Sequence, residues 1–149
     1  MAYSVRALQA DDKPRWRELF DGYLRFYEAS VPEETIDLTF ERLLGDGEWD
    51  PSGLVAVNDE GRIDGITHYV FHRSTWSATV YCYLEDLFVD PAVRGSGAGR
   101  ALISAVYDAA DAKGATRTYW STQEFNYKGR ILYDKVADRS PFIQYRRPV

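Results

Sequence analysis

Residues 81–107 read YCYLEDLFVDPAVRGSGAGRALISAVY. The first part, rich in aromatic and apolar residues, reads as a strand. A short glycine-rich loop follows, with Arg94, Gly95, Ser96, Gly97, Ala98, Gly99 and Arg100 in succession. The apolar spacing after Ala98 then predicts a helix. Glycine tolerates positive φ and lets backbone N–H groups approach a ligand closely. A helix starting near Ala98 points its free N–H groups, and the positive end of its dipole, back into that loop. Strand, loop and helix in this order make an anion site suited to a phosphate or pyrophosphate.

The loop lacks the Lys-Ser/Thr ending of a nucleoside triphosphate P-loop. Its glycine spacing also differs from a dinucleotide fingerprint, which would stand in the first βαβ unit. The pattern R-x-x-G-x-G, from Arg94 through Gly97 to Gly99, directly after LEDLFV, instead resembles the coenzyme A loop of the GNAT N-acetyltransferases.

The chain has 149 residues, 45% of them hydrophobic, enough for one domain with its own core. No apolar run approaches the length of a membrane-spanning helix, and MAYSVRALQADDK carries no apolar signal core. The single Cys82 excludes an internal disulfide and suits the cytoplasm, where the protein is expected. It reads as buried strand packing. A net charge of −5 speaks against nucleic-acid binding and favours cationic partners such as amines. Two histidines and one cysteine make a metal site an unexpected feature. His68 and His72 stand in a predicted strand, more than about 10 Å apart, and read as ordinary strand residues.

Along the chain, residues 3–8 read as a first strand. Asp11 or Asp12 is placed to cap a helix with Pro14 in its first turn and Trp16, Leu19, Phe20, Tyr23, Leu24 and Tyr27 on one face. Ser30-Val31-Pro32-Glu33 reads as a capping box opening a second helix, with Ile36, Phe40, Leu43 and Leu44 inward. Strands are expected at 54–57 and 63–71, joined by a turn at 58–61, and at 80–89 and 116–121. Helices are expected at 98–113, stopped by Gly114, and from Asn126 or Tyr127 to Val136. A final strand is expected at 142–146. This order implies an α/β fold with helices on the faces of a mixed sheet.

The resemblance to the GNAT superfamily extends over most of the chain and is densest at 84–102. LEDLFV followed by RGSGAG is most similar to the spermidine/spermine acetyltransferases and the fungal Hpa-type acetyltransferases of histones, polyamines and amino acids. A second match, NYKGRILYDK at 126–135, resembles the family's N…LY segment. It implies a single acetyltransferase domain over 1–149, with a mixed, mostly antiparallel sheet flanked by helices, and acetyl-CoA as cosubstrate. By position, Arg94 and the backbone of Gly95, Ser96, Gly97, Ala98, Gly99 and Arg100 would bind pyrophosphate. The backbone of Leu87, Phe88 and Val89 would pair with pantetheine, and Asn126 and Lys135 would add cofactor contacts. Asn126 can equally cap its own helix.

Transfer of an acetyl group from a thioester to an amine needs a base for the ammonium and an acid for the departing thiolate. The resemblance assigns the acid to Tyr133, a phenol protonated at neutral pH. Glu85, on the central strand, is the expected base or a substrate-binding anion. Strand alternation would send Asp86 to the opposite face, unless a bulge intervenes. Tyr23, Tyr27, Glu28, Tyr119, Trp120, Ser121 and Tyr145 are candidates for an acceptor pocket. The Ala137–Pro141 stretch replaces the Gly-aromatic pair common in relatives, whereas the ending FIQYRRPV resembles Hpa-type relatives, which implies a homodimer. The expected activity is N-acetylation of a primary amine of a small molecule, polyamine or amino-acid-like, or of a peptide. A non-catalytic acyl-CoA sensor and a histone-type lysine acetyltransferase are the alternatives.

Overall fold

The computed structural model describes residues 2–149. Strand β1 (Ser4–Ala7) leads through a 3-10 turn into α1 (Lys13–Phe26) and α2 (Glu33–Leu43). Strands β2 (Ser52–Val57), β3 (Ile63–His72) and β4 (Tyr81–Val89) follow, then α3 (Ala98–Lys113), β5 (Arg117–Tyr119) and α4 (Tyr127–Val136). The five strands form one sheet in the order β1-β2-β3-β4-β5. The first four are antiparallel neighbours, and β5 runs parallel to β4.

The sheet is covered on both faces. On one, Trp16, Leu19 and Phe20 of α1 and Ile36, Phe40 and Leu43 of α2 pack on Val55, Ile66 and Phe88. On the other, Ile103, Val106 and Ala110 of α3 pack on Tyr69, Cys82 and Leu84, with Leu132, Tyr133 and Val136 of α4 at the margin. Alternation of side chains along each strand sorts residues between the two layers. The turn after β2 is closed by Asn58, whose side-chain oxygen accepts from the N–H groups of Glu60 and Arg62. Among the described residues, no helix is long and apolar enough to cross a membrane.

Four local expectations are corrected. Helix α2 begins at Glu33 with Pro32 at its N-cap and no side-chain cap. Glu33 does not reach back to Ser30, because Arg17 of α1 takes its carboxylate with a 2.6 Å hydrogen bond. Asp12 likewise serves as partner of Arg6 at 2.8 Å and accepts from the N–H of Gln9, rather than capping α1. The strand expected at 142–146 is absent: residues 137–149 form no helix or strand, and Phe142, Ile143 and Tyr145 are exposed. Their alternation suits a strand, yet within one chain no edge takes them up. β5 itself is shorter than expected, ending at Tyr119.

Candidate active site

β4 pairs with β5 only at Tyr81, Cys82 and Tyr83. Beyond Tyr83 the two part, so the far edge of β4 faces a cleft instead of a strand. The cleft measures about 370 Å³. Its floor is Leu87, Phe88 and Val89; one end is the loop from Arg94 to Gly99. Tyr23 and Phe26 of α1, with Tyr27 just after it, form one wall, and Asn126, Lys128, Gly129 and Tyr133 form the other. α1 approaches β4 closely because residue 22 is glycine: a Cβ there would lie 2.8 Å from the Phe88 ring.

The loop has the conformation its glycines suggest. Gly95 and Gly97 have φ of 81° and 99°, the left-handed region that side chains disfavour. A Cβ on either would meet no protein atom within 4 Å, so both face open space at the N-terminus of α3. The Arg94 guanidinium lies 5.6 Å from the Phe26 ring and 6.0 Å from the Phe88 ring, held over the cleft by aromatic faces. These features fit a bound pyrophosphate: N–H donors at a helix start, a cation, and room for the ligand. Ser96 is tied to the sheet through Tyr3, which donates to Asp64 at 2.8 Å and lies 2.8 Å from the Ser96 hydroxyl.

A narrow second pocket shares Tyr23, Tyr27, Leu87 and Tyr133 with the cleft and adds Leu84, Glu85, Trp120 and Ser121. The two proposed catalytic side chains thus line one continuous set of walls. Burial pushes the Tyr133 hydroxyl up to about 12, so it holds its proton throughout the physiological range. Glu85 reaches solvent, yet its carboxyl is raised above the ordinary glutamate range, first by desolvation and then by the neighbouring charge of Asp86. Tyr23 and Tyr83 are raised as well, mainly by burial, with Asp86 adding to both.

Strand alternation fails at this point. His68 of β3 faces Asp86, whereas Tyr69 faces Leu84, so Glu85 is the extra residue of a β-bulge. A bulge of this kind re-aims side chains. Leu84 packs toward α3 and Leu87 also packs on that side, while Phe88 belongs to the α1 layer. Glu85 and Asp86 are therefore both on the α1 face, not on opposite faces.

Other expected residues fall outside the two pockets. Arg100 and Lys135 are exposed on α3 and α4 and line neither. Glu28 is exposed just past the end of α1, with φ of 53°. Tyr119 donates its hydroxyl to Nε2 of His72 at 2.6 Å and packs on Tyr83, which occupies it in the strand. Tyr145 lies in the exposed tail. Asn126 both lines the cleft and caps α4 by accepting from the N–H of Gly129. Phe26, Lys128 and Gly129 were not singled out by sequence; Phe26 departs from the buried stripe of α1, and only its neighbour Tyr27 carried a signal. Cys82 is fully buried, and its thiol is pushed up to about 11. That agrees with a packing role.

Residues 16–137 match the family model described as Acetyltransferase (GNAT) family. The chain belongs to this family. It is 33% identical over 148 residues to a D-amino-acid N-acetyltransferase of Saccharomyces cerevisiae, covering 96% of this chain and 89% of that protein. Among solved structures, a ribosomal-protein-alanine N-acetyltransferase from Brucella melitensis biovar Abortus 2308 superposes with a TM-score of 0.81 at 21% identity, over all of both chains. AAC(6')-Iy, solved with the bisubstrate analogue CoA-S-monomethyl-acetylneamine, does so with a TM-score of 0.82 at 19% identity, again over all of both chains. At these identities the two structures establish a shared fold. The mixed sheet with helices on both faces is thus the GNAT fold, and the protein is a GNAT-family N-acetyltransferase. The family uses acetyl-CoA, and the glycine loop, the open β4 edge and Arg94 are the features of this chain that suit it.

Proposed function

We propose that this GNAT enzyme transfers an acetyl group from acetyl-CoA to the primary amine of a small, amino-acid-like or polyamine acceptor. One observation carries the reading. The cleft that holds the glycine loop and the unpaired edge at Leu87–Val89 shares Tyr23, Tyr27, Leu87 and Tyr133 with the narrow pocket that holds Glu85. Acetyl-CoA supplies the thioester. The loop backbone and Arg94 hold its pyrophosphate, and the β4 edge offers backbone groups to pantetheine. Glu85 takes a proton from the acceptor ammonium, which frees the lone pair for attack on the carbonyl carbon. Tyr133 gives its proton to the departing sulfur.

The acceptor class draws on two supports. The yeast relative named above acts on D-amino acids by its name. The carboxylates of Glu85 and Asp86, on one face with Tyr23, Tyr27 and Trp120 nearby, favour a cationic amine. A thiol-release assay with acetyl-CoA across amino acids of both hands, polyamines, aminoglycosides and basic peptides tests this reading. Turnover on amino acids or polyamines, lowered about ten-fold or more in Tyr133→Phe, is the expected result. Turnover confined to basic peptides would replace the small-molecule acceptor with a protein one. Acetyl-CoA binding without turnover would favour the sensor alternative.

We extend the reading to a homodimer in which the 142–149 tail of one copy covers the outer edge of β5 in the other. The exposure of Phe142, Ile143 and Tyr145 and the unpaired edge of β5 support it. Light scattering on the full chain and on a truncation at residue 139 tests it. A monomer in both would end the proposal.

A further inference from the structure

Trp16 is fully buried in α1, and its indole nitrogen can only donate. It donates to Nε2 of His68 at 2.9 Å. Nε2 therefore carries the lone pair, and in the neutral ring the proton is on Nδ1. That nitrogen lies 2.8 Å from Oδ2 of Asp86 and donates to it. His68 is 2% exposed, while the Asp86 side chain is 19% exposed and forms the outer end of the chain. The backbone of Asp86 is held as well, its carbonyl accepting from the Thr67 hydroxyl at 2.7 Å. Three side chains from α1, β3 and β4 thus run from the aromatic core to Asp86, next to the bulge residue Glu85.

This arrangement calls for a function. His68 is surrounded by the rings of Trp16 and Phe20, at centroid distances of 6.0 and 5.7 Å. Replacing buried charged or polar partners by apolar residues of similar volume is often neutral or stabilising, because the polar groups have to repay their desolvation. The chain also ends at one particular place, against Glu85 and Tyr23, both of which line the narrow pocket.

We propose that Trp16, His68 and Asp86 are positioning residues, a hydrogen-bonded chain that fixes a second carboxylate beside Glu85 on the acceptor side of the cleft. The inference rests on the functional reading above for its consequence, but its geometry stands without it. Tyr23 of α1, Tyr27 just after it, His68 of β3, Tyr83 and Asp86 of β4, and Tyr133 of α4 are the titratable groups around Glu85. Asp86 is the carboxylate among them. After desolvation, its charge raises the proton affinity of Glu85 further, which suits a base, and it gives the entering ammonium a second negative charge to face. Asp86 acts through Glu85 and does not touch the reacting atoms.

The test is carbon-detected NMR of the Glu85 carboxyl in the free protein, assigned with Glu85→Gln. In the wild type Glu85 titrates above the ordinary glutamate value of about 4.3. In Asp86→Asn, whose side-chain oxygen still accepts from His68, the midpoint moves down toward that value. An unchanged midpoint overturns the proposal, whatever the enzyme's acceptor proves to be. Nitrogen-15 spectra of the wild-type histidine ring supply a reading that needs no variant: a proton on Nδ1 is expected, and a proton on Nε2 overturns the chain. His68→Gln, which keeps one donor and one acceptor, is expected to retain the Glu85 midpoint within error, whereas His68→Leu shifts it. Equal midpoints in those two variants would also overturn the role of His68. Acetyl-CoA affinity, measured by calorimetry on the same proteins, is expected to stay within about two-fold of wild type. If the wild type itself does not bind acetyl-CoA, the functional reading fails while the NMR result still decides this one.

Discussion

The Tyr133 ring stands edge-on to Trp120, with centroids 5.5 Å apart and planes at 70°. The contact fixes the phenol where α4 meets the end of β5, with Tyr133 in the wall common to the cleft and the narrow pocket. Removing only the hydroxyl leaves this packing in place. Tyr133→Phe is therefore expected to lower kcat about ten-fold or more while the affinity for acetyl-CoA stays close to wild type. That is the signature of a group acting in the transition state. Steady-state kinetics beside calorimetric binding of acetyl-CoA check it, and unchanged turnover would take Tyr133 out of the mechanism. Because the hydroxyl is pushed up to about 12, its ionisation should cause no alkaline loss of activity below about pH 11.

Glu85 gives the opposite limb. Its carboxyl is raised by desolvation and then by Asp86. A base acts only when deprotonated, so activity should fall as pH drops through a value above the usual glutamate range. Glu85→Gln should lower kcat/KM by about 100-fold or more and remove that limb from the profile. A limb that persists in the variant belongs to another group, and Glu85 would then be an anchor for the acceptor.

The phosphate end is tested at Gly97, which adopts φ of 99° facing open space. Gly97→Asp puts a side chain where the backbone disfavours one and a negative charge where an anion is expected. Binding of acetyl-CoA should be abolished with the fold intact, as read by calorimetry and circular dichroism. Retained affinity would mean that the loop is not the pyrophosphate site.

The strand, loop and helix from Tyr81 to Lys113 were legible because their signals are local: glycine spacing, apolar periodicity and a glycine stop. The shared face of Glu85 and Asp86 was not. It depends on how β3 registers against β4, and nothing within LEDLFV announces the extra residue. The His68 contacts were hidden for a similar reason, since Trp16 and Asp86 reach it from separate elements. At Ser30 a good local capping signal lost to Arg17, which comes from another helix. The tail at 142–146 alternates like a strand, but a strand needs an edge to pair with, and that partner is not written in its own residues.

Asp90 links the end of β4 to α1, with Arg15 at 2.7 Å and Arg62 at 3.1 Å. The Arg15 guanidinium, followed by the N–H of Ala92, holds its carboxyl below the usual aspartate range. A carboxyl depressed in the folded state contributes stability above its unfolded value of about 3.9. That contribution is lost as pH falls through the lower folded value. Asp90→Asn should therefore lower the melting temperature at pH 7 and flatten the loss of stability below about pH 4. Thermal melts of both proteins across this range measure it, and parallel curves would show that Asp90 carries none of the acid sensitivity.

Tyr3, just before the first strand, ties that strand to the glycine loop. Asp64 is 1% exposed, and the Tyr3 hydroxyl donates to its Oδ2 at 2.8 Å. The amide of Asn58 donates to the same oxygen at 3.2 Å, and the Arg62 guanidinium lies 3.9 Å from Oδ1. The Tyr3 oxygen is also 2.8 Å from the Ser96 hydroxyl, which donates to it once Tyr3 has given its own proton to Asp64. Tyr3→Phe removes both bonds at once. A buried carboxylate loses a donor, which costs about 1–3 kcal/mol. Ser96 loses its fixed partner in the middle of the loop. The variant should melt at a lower temperature and bind acetyl-CoA several-fold more weakly, with kcat at saturating cofactor close to wild type. The split matters, because Tyr3 is remote from Glu85 and Tyr133 and acts on the loop alone. A fall in kcat at saturation with unaltered affinity would show that the tie holds the catalytic end of the cleft rather than the phosphate end.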